Sequence, residues 1–161
     1  FISVAMMKCL AFLAVGIYEY YLYSSDVEDL KGIYGWVSLP AITASVALAG
    51  LAGIPLLAGF NGKWLVFSAV LTLSDPLALL GLALFLLSSV IALGGYLPMI
   101  AIQFQSSSAD QSDRVSAHIK DSISMWMSLP IVGLTALVVL LGIFPSPWLR
   151  LIDRVMEWVS V

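Results

Sequence analysis

Four stretches of this chain are apolar over lengths near or beyond the roughly 20 residues that carry a helix across a bilayer. They run from residue 1 to about 23, from about 37 to 73, from 77 to about 104, and from about 123 to 144. Such runs leave little choice of solvent. Sixty-one per cent of the residues are hydrophobic and 11% charged, against about a quarter charged in soluble domains. Seven basic and ten acidic side chains cannot cover a core of this size with polar surface. The bilayer must be the cover, so the expected fold is an all-α membrane protein with four transmembrane helices.

The second stretch is the anomalous one. About 37 residues are too many for one straight span and too few for two spans with a loop. It contains "AGIPLLAGFNGKWLVF", in which Pro55 removes a backbone donor and Gly53, Gly59 and Gly62 add conformational freedom. The reading is a helix broken near its middle, with one half over 41–53 and the other over about 62–73, joined by "IPLLAGFN". Backbone groups freed by such a break cannot face lipid, so the break must be buried in protein or line a hydrated cavity. Pro98 in the third stretch and Pro130 in the fourth mark possible kinks.

Polar connections separate the stretches: the acidic "SSDVEDLKGIYG", the turn "SDP", and "QSSSADQSDRVSAHIKDS". The tail "PSPWLRLIDRVMEWVSV" differs in kind. Trp148, Leu151, Ile152, Val155, Met156 and Val159 fall at helical spacing opposite Arg150, Asp153, Arg154 and Glu157, the pattern of a helix lying at the membrane surface. Residues 1–145 are thus read as a transmembrane domain and 146–161 as an amphipathic C-terminal helix.

Two lysines fall inside apolar sequence. Lys63 follows the break, and Lys8 sits between "VAMM" and "CLAFLAVG". An ionised lysine at mid-bilayer costs about 2.5–3.5 kcal/mol on insertion scales, so such residues usually face a bundle interior and serve a function. Snorkelling to an interface or structural pairing is the other reading for each. Glu19 lies eleven positions beyond Lys8, which on a helix gives nearly the same face about 16 Å along the axis. It either brackets half the membrane with Lys8 or marks the helix end beside Tyr18, Tyr20 and Tyr21.

Other chemistry is excluded or unsupported. A net charge of -3, a sequence pI near 4.8 and scattered basic residues argue against nucleic acid. His118 is alone in a polar connection and has no metal-ligand partner at suitable spacing. The glycines build no phosphate-cradling motif, and "SSSADQSD" suits a linker. Cys9 is the single cysteine, so no internal disulfide forms. No catalytic group, metal or cofactor is expected. The opening "FISVAMMKCLAFLAVG" has no initiator Met, basic n-region or cleavage site, and suggests one piece of a larger protein.

Taken together, "LAGIPLLAGFNGKWLVF", "MKCLAFLAVG", "SSDVEDLKGIYGWVSLP" and "LLGIFPSPWL" resemble the C-terminal part of the antiporter-like subunits of respiratory complex I, Mrp cation/proton antiporters and membrane-bound hydrogenases. The resemblance covers nearly the whole chain in order. It implies helices eleven to fourteen of a subunit of about fourteen helices, built from two inverted repeats that each contain a broken helix with a lysine. Lys63 would be the lysine of the second broken helix, facing a half-channel. Lys8 would lie on the central hydrophilic axis, although Val4 stands where the family often has histidine.

The first repeat is absent from these residues, so the implied partners are other membrane subunits of a respiratory, hydrogenase-like or Mrp-like complex, a chain supplying the missing N-terminal half, and lipid. The implied activity is a half-channel for protons or sodium in a prokaryotic cell membrane, an organelle inner membrane being the other setting. A non-conducting structural module of the membrane arm is the alternative, and an independent transporter comes third. Basic residues discriminate poorly between orientations, with Lys31, Arg114 and Lys120 on one side and Arg150 and Arg154 on the other. The resemblance places the first side in the cytoplasm.

Overall fold

The computed structural model describes residues 2–22, 26–73, 75–106 and 124–146. Among these are five α-helices: α1 (Ile2–Leu22), α2 (Ser38–Ala52), α3 (Ala58–Leu73), α4 (Pro76–Gln103) and α5 (Met125–Ile143). Three of them, α1, α4 and α5, are long and apolar enough to cross a membrane, and α2 is a shorter apolar helix. The expected C-terminal surface helix lies outside the described residues. So does most of the third polar connection, including Arg114, His118 and Lys120.

Helix α1 packs most extensively on α2 and also on α5, while α2 additionally meets α4. The core between them is built from a repeating stripe. Met7, Leu10, Ala14, Ile17, Tyr18 and Tyr21 recur at three- and four-residue intervals and are all buried. They meet Ala41, Ala44 and Ala47 on α2, with Ile131 and Val138 of α5 in the same cluster. The small side chains of α2 let neighbouring backbones approach closely, which is how helices gain packing where no hydrophobic force separates protein from lipid. Helix α4 lies at the periphery, with long apolar side chains such as Leu77, Leu84 and Ile91 facing outward.

Local signals account for the helix ends. Asp75 caps α4, its carboxylate accepting from the Leu77 backbone N–H at 3.3 Å, and Pro76 takes the first helical position. At the opposite end, the connection between α1 and α2 folds through two short 3-10 turns, Val27–Leu30 and Ile33–Gly35. Gly32 adopts a left-handed φ of 73° between them, and its N–H donates to the Ile102 carbonyl at 3.0 Å. The Tyr34 and Phe104 rings pack alongside, tilted by 38° with centroids 4.9 Å apart. Below this level, the Tyr18 hydroxyl donates to Gln103 Oε1 at 2.7 Å, and Gln103 Nε2 donates back to the Met99 carbonyl at 2.8 Å. This polar pair ties the end of α1 to the end of α4.

The interruption of the second stretch is shorter than the sequence suggests. It occupies residues 53–57, because α2 begins at Ser38 and α3 already at Ala58. Pro40 is accommodated in the first turn of α2, where its missing N–H has no intrahelical partner to lose. Gly53 and Pro55 lie in the break, whereas Gly59 and Gly62 are helical, a correction to their assignment as break residues. Glycine lowers helix propensity by about 1 kcal/mol, which intrahelical bonds and packing readily outweigh. Helices α4 and α5 continue through Pro98 and Pro130.

Candidate functional site at the helix break

Helix α2 ends in a Schellman arrangement. Gly53 turns left-handed at φ 91°, its N–H donates to the Gly50 carbonyl at 3.0 Å, and the Ile54 N–H donates to Ala49 at 3.0 Å. That leaves the carbonyl of Ala52, the last residue of α2, among those without a partner inside the helix. Lys63 supplies one. Its Nζ donates to the Ala52 oxygen at 2.8 Å, reaching back across the break from the second turn of α3. The negative end of the α2 dipole lies at this point and favours a cation.

Gly53 is favoured here by its backbone, and its missing Cβ leaves the lysine room. Its φ suits a residue without a Cβ, and a Cβ there would stand 2.8 Å from Lys63 Cδ and 2.9 Å from Nζ. The half-buried lysine therefore lies folded over a glycine.

Asn61 does for α5 what Lys63 does for α2. Its Nδ2 donates to the carbonyls of Leu141 and Gly142, at 3.1 and 2.8 Å. Both belong to the last turn of α5, where carbonyls lack intrahelical donors. Two acceptors side by side need two hydrogens, and the Asn61 amide nitrogen carries both.

Close backbone contacts complete the junction. A Cβ added at Gly59 would collide with the Gly50 carbonyl oxygen, and one at Gly142 would collide with the backbone of Leu56 and Leu57. Gly59 thus serves close packing rather than bending. Met7 of α1 fills the notch between Gly50 and Gly59, its side chain standing where a Cβ on either would fall. Leu56 has φ 74° although it is not glycine, and its side chain is 71% exposed. On the far side of α3, Trp64 stacks between Phe60 and Phe67 with ring centroids 6.2 and 5.6 Å apart.

Lys8 and Glu19 are placed differently. Both lie on the exposed face of α1, with Phe12 and Val15 between them, away from the stripe that enters the core. The residue beside Lys8, Met7, reaches the break. The roles of Asn61, Gly50 and Gly142 emerge only in the tertiary structure. The signal available for Asn61 was a lone amide in apolar sequence, but its partners lie 80 and 81 positions away.

A family model described as NADH:quinone oxidoreductase/Mrp antiporter, TM, matches residues 1–92, a span holding α1, the break and Lys63. The chain belongs to this family. Among its relatives named NADH-quinone oxidoreductase subunit N, that of Geotalea uraniireducens is 33% identical over 153 residues, covering 94% of this chain and 30% of the relative. The Pelagibacter ubique protein is 32% identical over 134 residues, covering 83% and 26% respectively. That of Bartonella bacilliformis is 34% identical over 127 residues, covering 78% and 23%. This antiporter-family chain therefore spans less than a third of the length of those curated relatives. Its apolar helices and its family make it a multi-pass membrane protein.

Proposed function

We propose that this chain contributes a half-channel for proton or sodium translocation to a membrane complex of the kind its relatives' names denote, with Lys63 as the residue that takes up and releases charge. One observation carries the reading: the Lys63 ammonium rests on the terminal carbonyl of α2, at a break in an apolar segment. A lysine seated on a helix end, with non-helical backbone beside it, needs a protein-lined or hydrated surrounding within the membrane. Such a place lets a proton exchange with water on one side. Helices α2 and α3 then cross the bilayer together as one broken span. Lys8 acts as the neighbouring relay, and Glu19 as an exit or coupling acid. The partners are other membrane subunits in a prokaryotic cell membrane, including a chain or segment that supplies the N-terminal half and covers the Lys8 face of α1. The amphipathic tail lies at the membrane surface.

A second reading also has an observation behind it. Because Lys63 satisfies a carbonyl that would otherwise lack a partner, the lysine could serve as a cap alone, in a non-conducting module.

Replacement of Lys63 separates the two. Lys63→Met removes a charge that costs about 2.5–3.5 kcal/mol at mid-bilayer, so assembly is expected to persist while coupled ion uptake into vesicles is lost. Lys63→Arg is expected to impair uptake too, since guanidinium keeps its proton at any working pH. Lys8→Met is expected to show a smaller loss. Normal uptake by the assembled complex in both Met variants would establish the structural module instead.

A further inference from the structure

The two capping side chains of α3 are two residues apart, a rotation of about 200° and a rise of about 3 Å on a helix. They therefore leave α3 on opposite sides, Asn61 toward the end of α5 and Lys63 toward the end of α2. The first turns of α3 are pinned between two helix ends.

We propose that Asn61 is a positioning residue for Lys63: by clamping α3 to the last turn of α5, it sets where the lysine ammonium stands relative to the carbonyls that end α2. This rests on the reading of Lys63 as the ion-linked residue. The break itself offers little to hold α3 in place. Residues 53–57 contribute turn bonds of 3.4 Å from Leu57 N–H to Ile54 and 3.1 Å from Phe60 N–H to Leu57, and Leu56 sits in a left-handed conformation that disfavours a bulky side chain. The fixed points are external. Gly142 admits the Leu56 backbone, Gly50 admits Gly59, and Asn61 bonds two carbonyls of α5.

Of these fixed points, the Asn61 clamp alone is directional, because hydrogen bonds weaken steeply with angle whereas close packing permits sliding. It is also costly to break in place. Without the amide, two carbonyls at the negative end of the α5 dipole lose their donor, and the register of α3 along α5 is left to close packing and to the Lys63 bond itself. A shift in that register moves Lys63, whose single described hydrogen bond is to Ala52. Helix α5 thereby bears on the lysine without contacting it.

The test uses the native membrane complex, purified through a tag on this chain, with Asn61→Leu, which matches the side chain in size but has no donor, and Asn61→Gln, which retains the amide. Two quantities are read per assembled complex: vesicle ion uptake, and the rate at which the Lys63 amine is modified by a small amine-reactive probe, followed by mass spectrometry. Asn61→Leu is expected to lower uptake on the order of tenfold, the scale of one to two net hydrogen bonds, and to change the Lys63 modification rate several-fold. Asn61→Gln is expected to restore part of both.

Unchanged uptake and an unchanged modification rate in Asn61→Leu would overturn the proposal. Where Leu prevents assembly, Asn61→Ser, which admits water to the carbonyls, is read in the same way. Failure of Leu, Ser and Gln alike to assemble would mean that Asn61 only stabilises the fold, and would equally overturn it. Normal uptake by Lys63→Met would refute the transport reading and leave the Asn61 clamp to be judged by the modification rate alone.

Discussion

Lys63 places its ammonium 2.8 Å from the carbonyl oxygen of Ala52, a residue eleven positions earlier, and in doing so closes over Gly53. Lysine and glycine thus depend on one another. The glycine gives α2 its left-handed end and gives the lysine stem its space, and the lysine satisfies the carbonyl that the end leaves open.

Gly53→Ala should therefore be costly through its backbone and should also displace the end of the lysine side chain. A left-handed conformation costs an L-residue about 1–2 kcal/mol, and the new Cβ would press on Lys63 Cδ and Nζ. The purified complex is expected to lose thermal stability and ion uptake together. Leu56→Gly, which relieves a left-handed leucine at φ 74°, is expected to be neutral or stabilising by up to about 1 kcal/mol, read by the same thermal assay.

The two glycines that follow the break should behave oppositely. Gly59→Ala would drive a Cβ into the Gly50 carbonyl and is expected to prevent assembly or to destabilise by about 3 kcal/mol or more. Gly62 is helical with nothing near its absent Cβ, so Gly62→Ala is expected to stabilise by about 0.5–1 kcal/mol. Membrane abundance and melting temperature of the two variants would check this contrast.

The Tyr18–Gln103 pair predicts coupling. Both residues are 2% exposed, and the hydroxyl donates at 2.7 Å. Tyr18→Phe leaves the Gln103 oxygen without that donor, at a cost of about 1–3 kcal/mol. Adding Gln103→Leu is expected to recover part of the loss, so that the double variant is more stable than the sum of the two singles. Melting of all four forms in one detergent would measure it.

Topology follows from contacts between connections rather than from basic residues. Gly32 bonds Ile102 at 3.0 Å and Tyr34 packs on Phe104, so the α1–α2 connection and the end of α4 lie together at one end of the helices. Asp75 lies at the other end of the 28 residues of α4, about 40 Å away. In a Cys9→Ser background, cysteines at Lys31 and Ser106 are expected to react with an impermeant thiol reagent from one side, the cytoplasmic one, and a cysteine at Asp75 from the other. Labelling of positions 31 and 106 from opposite faces would refute the arrangement.

Much of the helical layout was legible in the sequence because bilayer spanning depends on local composition. The apolar runs over 77–104 and 123–144 correspond closely to α4 and α5, and a break near Pro55 was readable from the residues that permit it. Its C-terminal edge was not. Gly59 and Gly62 resemble flexible residues in sequence, yet Gly59 is glycine because the Gly50 carbonyl lies against it, a contact nine residues away that composition does not reveal.

By itself, then, the sequence determined the solvent, the family and the presence of a lysine beside an interrupted helix, since each follows from residue type and short-range order. Tertiary structure decided where that lysine rests and what holds it. The Ala52 carbonyl is available to Lys63 because α2 ends in the Gly53 turn. The Leu141 and Gly142 carbonyls reach Asn61 only because α5 ends against the break. Helix ends carry unpaired carbonyls wherever they fall, and which donor meets them depends on where folding brings the ends together.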